Sequence, residues 1–220
     1  MKIIAIIPAR GGSNSIKLKN IVKLNGKPLL CYTSEAAKKS SYISEIFLST
    51  DNKMIADLAK KEGLSFLGYR PKSLSKDNTK TIDVVLNLLK KIKKVRSYKP
   101  DIIVLLQPTS PLRGNKDIDN AIKLFLKSKA TSLVSTINLP HNFNPESLMR
   151  VRKNKLYGLK KSLKKQKTIR QQKEKYFARN GAAIYITSYD NLMNNKSFYG
   201  KTTIPYPMNK ISSIDIDDIE

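Results

Sequence analysis

Two segments of the chain carry charge and glycine in patterns suited to phosphate chemistry. The first is Pro8-Ala9-Arg10-Gly11-Gly12-Ser13, running on through Asn14 to Lys17, Lys19 and Asn20. Adjacent glycines let the backbone bend so that successive N–H groups face one anion-binding concavity. Arg10, Lys17 and Lys19 can add three positive charges around it, and a triphosphate is the natural guest. The segment matches neither G-x-x-x-x-G-K-[ST] nor G-x-G-x-x-G; taken alone, its alternative is a plain glycine-rich turn. The second segment is Ser213-Ile214-Asp215-Ile216-Asp217. A strand there would set Asp215 and Asp217 on one face and both isoleucines on the other. Two such carboxylates repel unless a cation or solvent intervenes, and Mg²⁺ takes a few carboxylate oxygens together with substrate phosphates. The alternative is a solvated acidic chain end, although four of the 17 acids fall within residues 215–220.

Other candidates carry less chemistry. Gln107-Pro108-Thr109-Ser110-Pro111 is either a rigid proline-bracketed turn or a preorganised site after a buried strand. Arg10, Arg70, Arg113 and Arg170 each sit in or beside a loop-like segment, where a rigid fork could grip phosphate or carboxylate. His141 is the only histidine and has no carboxylate neighbour in sequence, which reads as a loop hydrogen-bonder. Cys31 lies in the apolar run Leu29–Tyr32 and reads as core.

These groups need a scaffold, and the chain alternates strand, loop and helix. Strands are expected at Lys2–Ile7, Ile43–Thr50, Ser65–Gly68, Asp101–Leu106, Thr131–Ile137 and Ala182–Ile186. Helices are expected from Pro28 to about Lys39, over Lys53–Glu62 with Asp51 as N-cap, from Thr79 to about Val95, and over Ile118–Leu126. This βαβ rhythm predicts an α/β fold with a doubly wound, mainly parallel sheet. Ligands of such sheets bind outside the carboxyl ends of the strands, so Pro8–Asn20, Ser49–Asn52 and Gln107–Arg113 should carry the site. From Leu139 to Arg179 the texture shifts to a lysine- and arginine-rich insertion, an arm on a single 1–220 domain.

The 220 residues suit one sizeable domain, and 40% hydrophobic content is ordinary for a soluble protein. No apolar run approaches the roughly 20 residues of a membrane span, and the opening stretch is too short for a signal peptide. A single cysteine permits no internal disulfide, which fits the cytoplasm. The net charge of +25 draws polyanions, whether nucleic acid, anionic membrane or phosphorylated substrates. Yet 34 of the 42 basic residues are lysine, often in helical pairs without interleaved aromatics, a pattern typical of solvated faces.

The ordered motifs IIPARGGS…LKNI, LSTDN, RPKSLSKD, LLQPTSPLR, RNGAAIYI and SIDIDD resemble those of the acylneuraminate cytidylyltransferases from Ile3 to Asp218. Pro140–Met149 resembles a subgroup that handles bacterial legionaminic-type acids. The resemblance implies a Rossmann-like nucleotidyltransferase fold and transfer of CMP from CTP to a nine-carbon 2-keto sugar acid. It implies that Arg10, Ser13 and Lys19 hold the CTP phosphates, with Gly11, Asn14 and Asn20 in the same loop. Arg70 and Thr81 would help place the cytidine. Gln107, Thr109, Ser110 and Arg170 would face the sugar, and Asp215 and Asp217 would bind Mg²⁺. It further implies a homodimer joined through the arm. The chain departs from the family pattern at Asn14, Ser15 and Lys17, where Lys, Gly and Pro are usual. Two rivals stand: a nucleic-acid-binding protein on the same fold, supported by the basic arm, and an eight-carbon Kdo cytidylyltransferase, from which LLQPTSPLR and RNGAAIYI point away.

Overall fold

The computed structural model describes residues 1–13, 15–159 and 174–218. Strands β1 (Ile3–Pro8), β4 (Glu45–Ser49), β5 (Ser65–Phe66), β6 (Ile102–Leu105), β7 (Ser132–Asn138), β10 (Phe177–Arg179), β11 (Tyr185–Ser188) and β12 (Thr203–Met208) form one sheet. Two small ribbons stand apart: β2 (Lys23–Leu24) with β3 (Lys27–Pro28), and β8 (Met149–Arg152) with β9 (Lys155–Gly158). The helices are α1 (Leu29–Lys38), α2 (Lys53–Lys61), α3 (Thr81–Arg96), α4 (Asn115–Lys127) and α5 (Tyr189–Asn195).

The main sheet runs β5-β4-β1-β6-β11-β7-β12, with β10 continuing the line of β11 along β7. Every neighbouring pair is parallel except those made by β10 and β11. Alternation along β1 explains the two layers. Ile3, Ala5 and Ile7 pack with Leu30 of α1, Ile55 of α2 and Ile122 of α4. Ile4 and Ile6 face the other way, onto Val85 and Leu89 of α3 and Leu192 of α5. The predicted doubly wound sheet is therefore the observed one. The chain leaves β1 toward β4 and leaves β6 toward β7, so the switch point lies between β1 and β6, where a crevice is expected.

Several expectations need correction. Asn52, not Asp51, caps α2: its Oδ1 accepts from the Ile55 N–H at 3.2 Å. The Asp51 carboxylate is turned instead to the loop after β1. The strand expected at Ser213–Asp217 does not form; the chain turns over Lys210–Ser213 and continues irregularly. Its backbone finds other partners: the Ile216 N–H donates to the Thr109 carbonyl at 2.8 Å, and the Ile216 and Asp217 carbonyls accept from Lys19 Nζ at 2.9 and 2.7 Å. Ile214 is half exposed rather than packed. Within the 139–179 insertion, β8 and β9 form a separate ribbon, while β10 rejoins the main sheet. No helix among the described residues is long and apolar enough to cross a membrane.

One irregularity shapes everything downstream. Arg179 pairs with Thr136 and Tyr185 with Val134, so residues 180–184 stand opposite Ser135 alone. A bulge of this kind bends the strand and re-aims its backbone groups.

Candidate active site

The loop after β1 is held from beneath by β4's end. Gly11 donates its N–H to Asp51 Oδ1 at 2.9 Å, and the same oxygen lies 3.5 Å from Arg70 Nη2. Asn20 Nδ2 donates to the Arg10 carbonyl at 2.9 Å. Glycine is required at position 11 by close approach: a Cβ would lie 2.8 Å from the Cβ and Nδ2 of Asn52. The amide of Gly11 thus serves the loop's own anchorage rather than an open concavity. Arg70 is buried, and burial pulls its guanidinium below the usual range, partly offset by Asp51 and deepened by Arg10.

Above this anchorage lies a cavity of ≈ 300 Å³, with Arg10, Lys19, Arg70 and Lys76 as its cationic lining. Gly12, Ser13, Asn20, Thr81, Gln107 and Thr109 also border it. Arg10 pairs there with Asp77. Lys17 is exposed and lies outside this lining. A second space of ≈ 580 Å³ adjoins it, shares Thr81 and Gln107, and is bounded by Arg179, Gly181, Tyr185 and Phe198. Arg179 Nη1 donates to Tyr199 Oη at 3.3 Å. Burial raises the Tyr185 phenol to about 12, with Tyr199 adding to the shift. The expected nucleotide residues Arg10, Ser13, Lys19, Asn20, Arg70 and Thr81 thus line one cavity, and Gln107 stands at the junction of both.

Three further expected positions lie differently. Thr109, expected to face the sugar, lines only the first cavity. Ser110 is fully buried and lines neither cavity; its hydroxyl donates to Asp215 Oδ1 at 3.2 Å. Arg113 is also buried, so it grips no ligand. Its fork donates to the carbonyls of Gln107 at 3.1 Å and Ala183 at 2.8 Å, and to Thr33 Oγ1 at 2.6 Å. Burial lowers its pKa to about 10, opposed by Asp117 and Asp215. Arg170 and Asn14 fall outside the described residues. His141 and Cys31 line neither cavity, and the buried thiol of Cys31 is pushed up to about 11, chiefly by desolvation.

The 180–184 bulge organises the junction. Ala182 C=O accepts from the Gln107 N–H at 3.1 Å, and Ala183 C=O receives Arg113. Asn180 donates to Ser213 Oγ at 3.0 Å and accepts from Ser135 Oγ at 2.8 Å, tying the C-terminal segment to β7. Gly181 has φ +67°, and a Cβ there would come within 2.5 Å of Asp215 Oδ2, so a side chain would strain the backbone and push the carboxylate aside. The absent Cβ is therefore the floor under the Asp215 carboxylate. Among the described residues no group of three or more His, Cys, Asp or Glu could hold a metal alone. Asp215 and Asp217 lie outside the lining of both cavities: the Asp215 carboxylate accepts from Ser110, and Asp217 is held through its carbonyl by Lys19 and Ser15. Arg179, Tyr185 and Phe198 received no role from sequence. The RNGAAIYI motif was the available signal, but only the strand interruption shows which of its side chains turn inward.

A cytidylyltransferase family model matches residues 4–218. The chain is 37% identical to the CMP-N,N'-diacetyllegionaminic acid synthase of Legionella pneumophila, covering 99% of this chain and 91% of that protein. It is 33% identical to the N-acylneuraminate cytidylyltransferase of Escherichia coli O18:K1:H7, covering 99% of this chain and 49% of that longer protein. Among solved structures, a CMP:2-keto-3-deoxy-manno-octonic acid synthetase complexed with CTP superposes with a TM-score of 0.69 at 16% identity, covering 99% of this chain and 94% of that one. At that identity the likeness speaks to the fold. The sheet order, the two adjoining cavities and these matches together make the chain a member of the acylneuraminate cytidylyltransferase family of nucleotidyltransferases.

Proposed function

We propose that the protein transfers CMP from CTP to a nine-carbon 2-keto sugar acid of the acylneuraminate or legionaminate type, releasing pyrophosphate. The observation that carries this is the junction: a cation-lined cavity and an arginine- and tyrosine-lined one meet at Gln107 and Thr81. The first suits a nucleoside triphosphate, through Arg10, Lys19, Arg70 and Lys76. The second suits a carboxylate-bearing sugar, with Arg179 as its cation. The names of the relatives support the nine-carbon acid over Kdo.

The sugar's anomeric hydroxyl oxygen forms a bond to the α-phosphorus, the bond from that phosphorus to the bridging oxygen breaks, and the hydroxyl proton passes to solvent. Positioning and charge neutralisation carry such a reaction. Gln107 orients the two substrates at the junction, while Arg10 and Lys19 offset charge on the phosphates. Asp215 and Asp217 would hold Mg²⁺, which supplies further neutralisation of the phosphates when bound. Lys19 links these parts, since it lines the cavity and donates to the backbone of residues 216 and 217.

The arm supports a homodimer. In the β8–β9 ribbon, Val151 pairs with Leu156 and Met149 with Gly158, so one face is apolar while Arg150 and Arg152 take the other. Met149, Val151 and Leu156 are more than half exposed. A lone two-stranded ribbon is marginal in water, and a second copy covering that face would leave the arginines outward. Light scattering on the wild type and on Val151→Asp checks this: a monomer at all concentrations refutes it. The single cysteine, the buried Cys31, fits a reducing setting such as the cytoplasm.

The deciding assay is pyrophosphate release from CTP and Mg²⁺ with sialic, legionaminic, pseudaminic and Kdo acids. Release with a nine-carbon acid supports the proposal and names the substrate. Release with Kdo alone reassigns the sugar, and CTP neither bound nor consumed overturns the reading.

A further inference from the structure

The triphosphate cavity has a carboxylate where charge alone would forbid one. Its ionisable lining consists of Arg10, Lys19, Arg70, Lys76 and Asp77. Asp77 is the one acid among them, in the segment between the 3₁₀ turn Lys72–Leu74 and the start of α3. Its Oδ1 contacts Arg10 Nη1 at 2.5 Å. Arg10 is about one-third exposed and Asp77 more than half exposed, so the pair sits at the water-filled mouth rather than in the core. Ion pairs at such sites contribute little to folding. The pair with Arg10 therefore adds little to folding, while the carboxylate repels a ligand carrying several negative charges.

Arg10 and the buried Arg70 line the same cavity, and the charge of Arg10 adds to the lowering of the Arg70 guanidinium, which has Asp51 as its counter-ion. Asp77 supplies the counter-charge for Arg10. The Arg10 backbone is fixed separately, through its carbonyl and Asn20, so its side chain can change partner without the loop moving. An incoming polyphosphate offers Arg10 more negative charge than one carboxylate does.

We infer that Asp77 is an internal stand-in for phosphate, which holds Arg10 until a polyphosphate displaces it and which competes with that polyphosphate for the guanidinium. The inference rests on the cytidylyltransferase reading. Its consequence is a deliberately weakened grip on both CTP and pyrophosphate. Weakening the product's hold favours release, because any interaction as strong with product as with substrate slows the cycle without helping the chemistry.

The test is Asp77→Asn, which keeps size and loses charge. The variant should lower KM for CTP by about three- to tenfold and lower the inhibition constant of inorganic pyrophosphate by a similar factor. Both differences should shrink as salt rises from low to physiological strength. The sugar KM and the Mg²⁺ concentration for half-maximal rate should stay as in wild type. Asp57→Asn, which removes an exposed acid paired with Lys60 on α2, is the control for net charge and should leave all four constants unchanged. An unchanged CTP KM in Asp77→Asn, or an equal fall in Asp57→Asn, overturns the inference. A raised CTP KM overturns it in favour of Asp77 aiming Arg10, and a shifted Mg²⁺ requirement overturns it in favour of Asp77 as a metal ligand. Wild-type protein that neither binds nor consumes CTP overturns the cytidylyltransferase reading instead, so the two failures are separable.

Discussion

The two cavities rest on opposite kinds of strand. The side proposed for the nucleotide stands on the carboxyl ends of parallel β1 and β4, and its loops are cross-tied by charge: Asp51 to Gly11 and Arg70, Asp77 to Arg10. The side proposed for the sugar stands on an antiparallel strand broken by five residues, with Tyr185 and Phe198 in its wall and Arg179 held by Tyr199. A parallel strand delivers its ligand loop by connectivity alone, and the same triphosphate can be met by the same loop in many proteins. A bulge delivers side chains by local geometry, which each sequence can retune. In the proposed reaction, the first half would fix the chemistry and the second would select the sugar.

The comparison breaks most readily at Arg113, which lies beneath both halves. Arg113→Ala leaves acceptors at Thr33, Gln107 and Ala183 without their donor and should cost about 3 kcal/mol of stability in urea unfolding. Both substrates should lose affinity together; a defect confined to one would show that the halves are independently anchored. Gly181→Ala comes next. Its Cβ meets the Asp215 carboxylate and its φ is left-handed, so turnover should fall about 100-fold while CTP still binds. Wild-type turnover would detach Asp215 from catalysis. Asp51→Ala sharpens the nucleotide half: CTP KM should rise about tenfold with the sugar KM unmoved. Asp51→Asn should recover part of that, because its amide oxygen still accepts from Gly11. The smallest effect belongs to Tyr199→Phe, which removes the Arg179 acceptor and should raise the sugar KM by about two- to threefold with CTP unaffected.

The same contrast explains what could be read from sequence. Helical spacing in Thr81–Arg96 and the uninterrupted run at Ile102–Leu105 are local signals, and both elements form where the pattern put them. Pro8–Asn20 and Gln107–Arg113 followed from the rule about strand ends. Asp51 reads as a cap because it precedes a helix, whereas its partners, Gly11 and Arg70, are remote in sequence. Arg113 reads as a fork for an anionic ligand because it sits in a loop, whereas its contact with Thr33 of α1 and two carbonyls buries it. The Asp215–Asp217 alternation predicted a strand, but alternation needs a neighbouring strand to pair with, and this segment is held by the Lys19 and Ser15 side chains and by Thr109. Of the strand expected at Ala182–Ile186 only Tyr185 and Ile186 are in β11, while residues 182–184 belong to the interruption. Nothing in Asn180-Gly181-Ala182-Ala183 states how many residues will stand opposite Ser135.

The contact between Ser15 and Asp217 joins residues 202 positions apart. During synthesis the phosphate loop emerges from the ribosome long before the segment that closes over it. The sheet can accumulate β1, β4 and β6 early, but β11 and β12 must arrive before residues 209–217 have a surface to dock on. Loop closure on this scale is entropically costly and late. Nascent chains short of Asp217 therefore carry the loop after β1 without its lock, and that loop should become fixed only once residues 209–217 have emerged.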